Sequence, residues 1–293
     1  RAATNVPNAG RERARRVVDA RQANQWSRIE NALIENMGKG SSRNYGANYF
    51  DELNRLATQM DDEGAKLIQP ALQIETPMTD RLRAVMARPT MQELWGNVKR
   101  KLADQGDEIG LSTRTQALHR MKMELDEAIG MSKRAEQMGN KPGAGWDTRT
   151  LTIMKRDLLN AIDNPAYKAG LKQYANTAQL SNALEDGYEA FSRKQPEQMR
   201  AALKGLESDT QRDFYRFGAM RAIMERIRKG NVNNDRTDGL FSSPEMQTKL
   251  RAIFPSHKQF REFQRFLVSE AKMADSRKAM QGNSTTARQL AEG

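Results

Sequence analysis

The sequence predicts an all-α protein: a multi-helix bundle of short and medium antiparallel helices, with a separate N-terminal basic helix. Three observations predict it. Capping boxes at Thr90/Glu93, Thr113/Gln116, Ser208/Gln211 and Ser256/Gln259 each precede a segment whose apolar residues recur with helical period. No segment alternates apolar and polar residues over strand length. A helical phrase also occurs twice, LHRMKMELDEAI at 118–129 and LTIMKRDLLNAI at 151–162. In both copies Leu118/Leu151, Met121/Met154, Leu125/Leu158 and Ile129/Ile162 fall at i, i+3, i+7 and i+11, on one face of a helix. Two such faces must be buried, and a helical hairpin turning at Gly139, Pro142, Gly143 and Gly145 buries them against each other. From this pattern more than about 60% of the chain is expected to be helical.

Composition bounds the chemistry. The 293 residues, 38% of them hydrophobic, suffice for one large domain or two ordinary ones. With no cysteine there is no disulfide, no thiolate catalysis and no Cys-ligated metal. His119 and His257 are the only histidines, which rules out a multi-histidine metal site within one chain. No run of 18 or more apolar residues is present to span a bilayer as one helix, and no unprocessed signal peptide is visible. Arg1 in place of an initiating Met points to a processed product or a segment of a longer chain. The 48 Lys and Arg against 37 Asp and Glu give a net charge of +11, which favours polyanions without locating a site.

In chain order, residues 1–9 read as a tail. Residues 11–37 read as a helix with Arg11, Arg13, Arg15, Arg16, Arg21 and Arg28 crowding its first half, and Val18, Trp26, Ile29, Leu33 and Met37 as its sparse apolar line. Two readings follow. The arginines form an arm contacting phosphates of double-stranded DNA without sequence preference, or the helix docks on a partner subunit through its apolar line. That line lies beyond a Gly- and Ser-rich linker at 38–47 and needs a cover, so a neighbouring copy of the chain is expected there. The domain division is accordingly 1–47, a basic helical arm and linker, and 48–293, an α-helical domain with a sub-boundary near 77.

Within 49–73 two short helices are expected, the second interrupted by Pro70, and a third ends before Pro89. The box at Thr90 opens the next helix, with Lys99, Arg100 and Lys101 near a helix C-terminus, where the macrodipole favours cations without any ligand. After the duplicated phrase, Asn164 as N-cap and Pro165 at the first position start a long helix. Its stripe of Tyr167, Leu171, Tyr174, Ala178, Leu184, Tyr188 and Phe191 reads as core rather than as a base-stacking platform. A short helix follows, then one from Ser208 whose inner face is Phe214, Phe217, Met224 and Ile227, with Gly218 allowing close approach of a neighbour. The loop 231–243 lacks the ligand spacing of a calcium loop despite Asp235 and Asp238. Two helices starting at Ser243/Pro244 and Ser256 complete the chain. Gly282 is expected to break the last, and Ser284 or Thr285 to cap a final turn.

No catalytic constellation emerges, and no cofactor or metal is expected. Glu270 invites comparison with the single glutamate of helical lytic transglycosylases, but it sits mid-helix without the Glu-Ser dipeptide or the Gly- and Tyr-rich segments of those enzymes. No Gly-rich loop cradles a phosphate.

The ordered strings ARPTMQELWGNVKRKLADQG, LHRMKMELDEAIG, LTIMKRDLLNAIDNPAYKAGLKQYA, ALEDGYEAF, LESDTQRDFYRFGAMRAI and SEAKMADSRKAMQGNSTTARQLAE span about residues 77–293. They resemble a helical region of large virion-associated internal, or DNA-ejection, proteins of tailed phages and prophages; GNSTTARQLAE and FYRFGAMRAI carry most of that likeness. The resemblance implies a structural bacteriophage virion protein, packaged inside the capsid and released with the genome. It would reach the host periplasm and cell envelope, join a conduit for DNA as a homo-oligomer beside other ejection or portal proteins, and contact membrane only after assembly. Some members carry a transglycosylase domain elsewhere, whose residues have no counterpart here, so no enzyme activity is carried over. The alternatives are a nucleic-acid-binding helical module and a capsid or portal scaffold protein without DNA contact.

Overall fold

The computed structural model describes residues 13, 16, 17, 19–21, 23–38, 44, 45, 47–104, 113–138, 147–229 and 244–289, with side chains, Gln137 excepted, as far as residue 273. It is 87% helical, and the described residues contain no strand. The helices are α1 (Gln25–Gly38), α2 (Tyr49–Glu63), α3 (Gln69–Leu72), α4 (Asp80–Met86), α5 (Pro89–Asp104), α6 (Arg114–Gln137), α7 (Thr148–Ala161), α8 (Pro165–Arg193), α9 (Pro196–Gly205), α10 (Asp209–Lys229), α11 (Pro244–Ile253) and α12 (His257–Gln289). The chain forms two compact units, one of residues 1–56 with 179–293 and a second of residues 57–178. The tail, Val18, Arg11, Arg15, most of the 38–47 linker, the hairpin turn at 139–146 and the 231–243 loop lie outside the described residues.

This division differs from the one expected, which had a boundary at residue 47 and a sub-boundary near 77. Helix α1 is no separate arm: Ile29, Leu33 and Met37 are each fully buried, in one core with Phe214, Phe217, Ile223, Phe263 and Leu267. Trp26 packs half-buried against the same core. The apolar line is therefore covered by α10 and α12 of its own chain, which removes the reason for assigning Trp26, Ile29, Leu33 and Met37 to a neighbouring subunit. Local sequence shows only a Gly-rich joint and a lone amphipathic helix; the cover comes from residues some two hundred positions away. Even the joint is partly packed, since Tyr45 is 2% exposed and meets Phe217 edge-on at 6.0 Å between centroids.

Unit one also contains the crossing of α8 and α10. A Cβ at Gly187 would stand 1.9 Å from the carbonyl oxygen of Tyr215, and one at Gly218 equally close to that of Leu184. Only glycine at both positions lets the two backbones touch, so the spacer role expected of Gly218 is observed and is reciprocal. Helix α10 is rotated into the core on nearly all sides, with Phe214, Tyr215, Phe217, Ala219, Met220, Ile223 and Ile227 each at most 3% exposed. Its cap is the full Ser208/Gln211 box: Gln211 N–H donates to Ser208 Oγ (3.1 Å) and Ser208 N–H to Gln211 Oε1 (3.3 Å). Ser256 Oγ likewise accepts from Gln259 N–H at 3.2 Å, opening α12. That helix runs through Gly282 to Gln289 rather than breaking there; one interior glycine costs only about 1 kcal/mol relative to Ala and needs no break.

Unit two is built on the duplicated phrase. Helices α6 and α7 pack as a pair, burying Leu118, Met121, Leu125, Leu151, Leu158 and Ile162 to 2% exposure or less, with Met154 and Ile129 half-buried at the edge. Helix α5 lies on α6, and α4 on α7. Thr113 caps α6 by accepting from Gln116 N–H at 3.2 Å. Asn164 caps α8 by accepting from Tyr167 N–H at 3.0 Å, while its amide donates to the Ala71 carbonyl at 3.1 Å, tying the end of α3 to the start of α8. Two local expectations need correction. Helix α5 begins at Pro89, with the Arg88 carbonyl accepting its first bond, so Thr90 lies inside the helix and does not cap it. Pro70 does not interrupt its helix either. A π-helical turn over Gly64–Ile68 joins α2 to α3 and widens the backbone one turn before the proline, where its ring would clash with an ordinary α-helical carbonyl.

Candidate nucleic-acid interface

Charge is divided unevenly between the units. Unit one holds 30 of the 48 Lys and Arg with 21 of the 37 Asp and Glu, a net +9; unit two holds 18 and 16, a net +2. A polyanion is drawn first to unit one.

The arginines singled out in the sequence part company there. Arg11 and Arg15 lie outside the described residues, and Arg13 and Arg16 are exposed. Arg21 and Arg28 instead converge on Glu270, which is 2% exposed. Arg28 forks onto the carboxylate, Nη2 to Oε2 at 2.7 Å and Nε to Oε1 at 3.2 Å, and Arg21 Nη2 reaches Oε1 at 3.0 Å. A bidentate guanidinium on a buried carboxylate is the strong form of ion pair, and it fastens the N-terminal segment to α12. These two arginines are therefore held in place by Glu270, which offsets one of their two positive charges while both still reach solvent. Glu270, the acid weighed against a transglycosylase, has both oxygens occupied by them.

Among the described residues, a line of cations without a carboxylate partner sits elsewhere. On α12, Lys258, Arg261 and Arg265 are exposed at i, i+3 and i+7, on the face opposite the buried Phe260, Phe263 and Leu267. Among the described residues none of the three is paired with a carboxylate. They cover about 10 Å along the helix, and exposed Val268 continues the same line. The spacing was visible in the sequence, but only the burial of the opposite face shows which side meets water.

A second feature of unit one lies on α10. Arg221 and Arg228, about two helical turns apart, rim a cavity of about 250 Å³ whose lining includes Ile34, Phe217, Met220 and Met224 together with Glu30 and Asn48. Each guanidinium lies over an aromatic ring, Arg221 over Phe50 at 5.7 Å and Arg228 over Trp26 at 5.1 Å. Each is also neutralised, Arg221 by Glu225 (3.1 Å) and Arg228 by Glu30 (2.9 Å). Nothing local in the sequence announces this site, because its walls come from three separated segments.

In unit two the aromatic stripe of α8 is core, as expected: Tyr167 is fully buried, and its hydroxyl meets His119 Nδ1 at 2.8 Å. Burial, with Lys122 and Arg120 nearby and Asp126 opposing them, lowers the His119 pKa to about 4. Burial raises that of Tyr167. Lys101 is bound by Glu124 and Glu127, each at 2.8 Å, so the basic end of α5 is partly spent within the fold. Among the described residues no group of three His, Asp or Glu is placed to hold a metal, and no helix is long and apolar enough to cross a membrane. No family model, curated protein or solved structure matches the chain.

Proposed function

We propose that this chain is a non-catalytic structural protein of a phage virion, of the internal or ejection type, which meets DNA through phosphate contacts on unit one. The observation that carries the DNA contact is the exposed cationic line Lys258, Arg261 and Arg265 on the outer face of α12, without a carboxylate partner among the described residues, within a unit of net charge +9. Regular cations on a rigid helix neutralise phosphates and release counterions without reading bases. The virion role, with passage from the capsid to the host envelope and a part in a DNA conduit, rests on the resemblance over about residues 77–293. Homo-oligomers and neighbouring ejection or portal proteins belong to this reading through that resemblance alone, since the apolar line of α1 is used within its own unit.

The test is binding to a fluorescent DNA duplex between about 50 and 200 mM salt. Affinity should fall steeply with salt for any sequence. Lys258→Gln/Arg261→Gln/Arg265→Gln should flatten the log–log slope by about 3, close to one counterion for each phosphate that the variant leaves unneutralised. An unchanged slope in a folded triple variant removes α12 from the interface. Absence of duplex binding by the wild type leaves the scaffold role without DNA contact in its place.

A further inference from the structure

We propose that the cavity beside α10 is a slot for one unstacked nucleobase of a single strand, a reading that rests on unit one meeting nucleic-acid phosphates. Size is the first constraint on its guest. At about 250 Å³ the cavity falls below the usual range of pockets for drug-sized ligands, about 300 to 1,000 Å³, and suits a single flat ring system. Its lining is mixed, and the apolar part is adaptable: Phe217, Met220 and Met224 share one face of α10, with Ile34 of α1 beside them, and the unbranched thioethers adjust to a planar guest.

The rim selects the chemistry of that guest. Because Glu30 and Glu225 already neutralise Arg228 and Arg221, the rim presents no surplus charge for a second phosphate inside the slot. It presents hydrogen-bonding edges instead. Asn48 Oδ1 accepts from Phe50 N–H at 3.0 Å, which leaves the Asn48 amide nitrogen as a donor for a ring carbonyl, while the Glu30 carboxylate accepts from a ring N–H. An uncharged heteroaromatic ring with both donors and acceptors satisfies the two sides together, as a nucleobase does. The stacked Arg221–Phe50 and Arg228–Trp26 pairs stand about 10 Å apart along α10 and offer planar faces to the neighbouring bases. Phe50 remains 54% exposed, a large apolar surface that base stacking would cover. The sugar–phosphate chain is held by the positive field of the unit, so base and backbone are recognised by different parts of one surface.

The experiment compares a labelled oligothymidylate with an abasic strand of equal length and charge, by fluorescence anisotropy on the full chain at one salt concentration. The slot predicts about tenfold tighter binding of the strand that carries bases, from the stacking of one or two of them. Ala47→Leu, which pushes a side chain into the slot from the residue beside Asn48, should bring the thymidylate down to the abasic level and leave abasic binding unchanged. Equal affinity for the two strands in the wild type, or a base preference that survives Ala47→Leu, overturns the slot while phosphate binding by unit one stands. Failure of both strands and of duplex to bind overturns the nucleic-acid reading itself.

Discussion

Gly218→Ala tests the closest approach in the fold. The new Cβ would stand 1.9 Å from the Leu184 carbonyl oxygen and 2.7 Å from the Tyr188 amide nitrogen. Real Cβ atoms essentially never come within 3.0 Å of such neighbours, and the obstacle is backbone, so α8 and α10 must part by about 1 Å. Ala183, Leu184, Phe214, Tyr215 and Phe217 surround the crossing at 3% exposure or less, and separation loosens all of them. Overpacking typically costs about 1 to 3 kcal/mol and occasionally more. Here the upper end applies, offset by the ~1 kcal/mol that Ala gains over Gly in a helix. The net loss is then about 2 kcal/mol, or roughly 4 to 8 °C in the melting of a unit of this size. Gly96→Ala and Gly130→Ala provide the contrast. Both glycines are helical with nothing within 4 Å of an added Cβ, so each substitution should raise stability by about 0.5 to 1 kcal/mol. Thermal denaturation followed by circular dichroism reads all three. If Gly218→Ala melts at or above the wild-type temperature, the backbone contact does not exist.

In unit two, Leu125→Ala or Leu158→Ala should cost about 2 to 5 kcal/mol, since both leucines are fully buried in the α6–α7 pair; unchanged urea midpoints for both would refute the pairing. His119 makes unit two sensitive to acid. Its folded pKa of about 4 lies below the unfolded 6.5, so the unfolded chain binds the extra proton between those values, and stability present above pH 6.5 is lost as pH falls toward 4. The full shift corresponds to about 3 kcal/mol, reduced to ~2 kcal/mol for a half-buried ring screened by solvent. His119→Gln should abolish that part of the pH dependence in denaturant titrations at pH 7 and pH 4.5. Glu270→Ala leaves Arg21 and Arg28 without their acceptor and should destabilise unit one by about 2 kcal/mol, less than for a wholly buried pair because both arginines reach solvent. Proteolysis that still spares residues 13–28 in this variant would show that the clamp is not what fastens them.

The helices, most of their caps and the inner faces were legible because each depends on residues within a turn or two of one another. Ser208 and Gln211 close their box wherever the helix is placed, Asn164 meets the Tyr167 N–H by local geometry alone, and the repeated Leu, Met and Ile spacing of α6 and α7 demands a partner face. The failures at Thr90 and Pro70 are also local, and they show how narrowly such signals discriminate. Pro89 was the better first residue of α5, and a single π-helical turn was enough to carry a helix past a proline.

Residue order alone was therefore enough for the all-α class, the α6–α7 pair and the amphipathic helix α1. It could not show what covers that helix, because Ile29, Leu33 and Met37 are buried by residues near 217 and 263, and burial by distant segments leaves no periodic trace. The same holds for the sites. Six arginines look alike as letters, yet Glu270, some 240 residues on, ties Arg21 and Arg28 into one ion-pair cluster. The cationic line on α12 and the slot beside α10 exist only because packing between distant helices sets which face of each is left to the solvent.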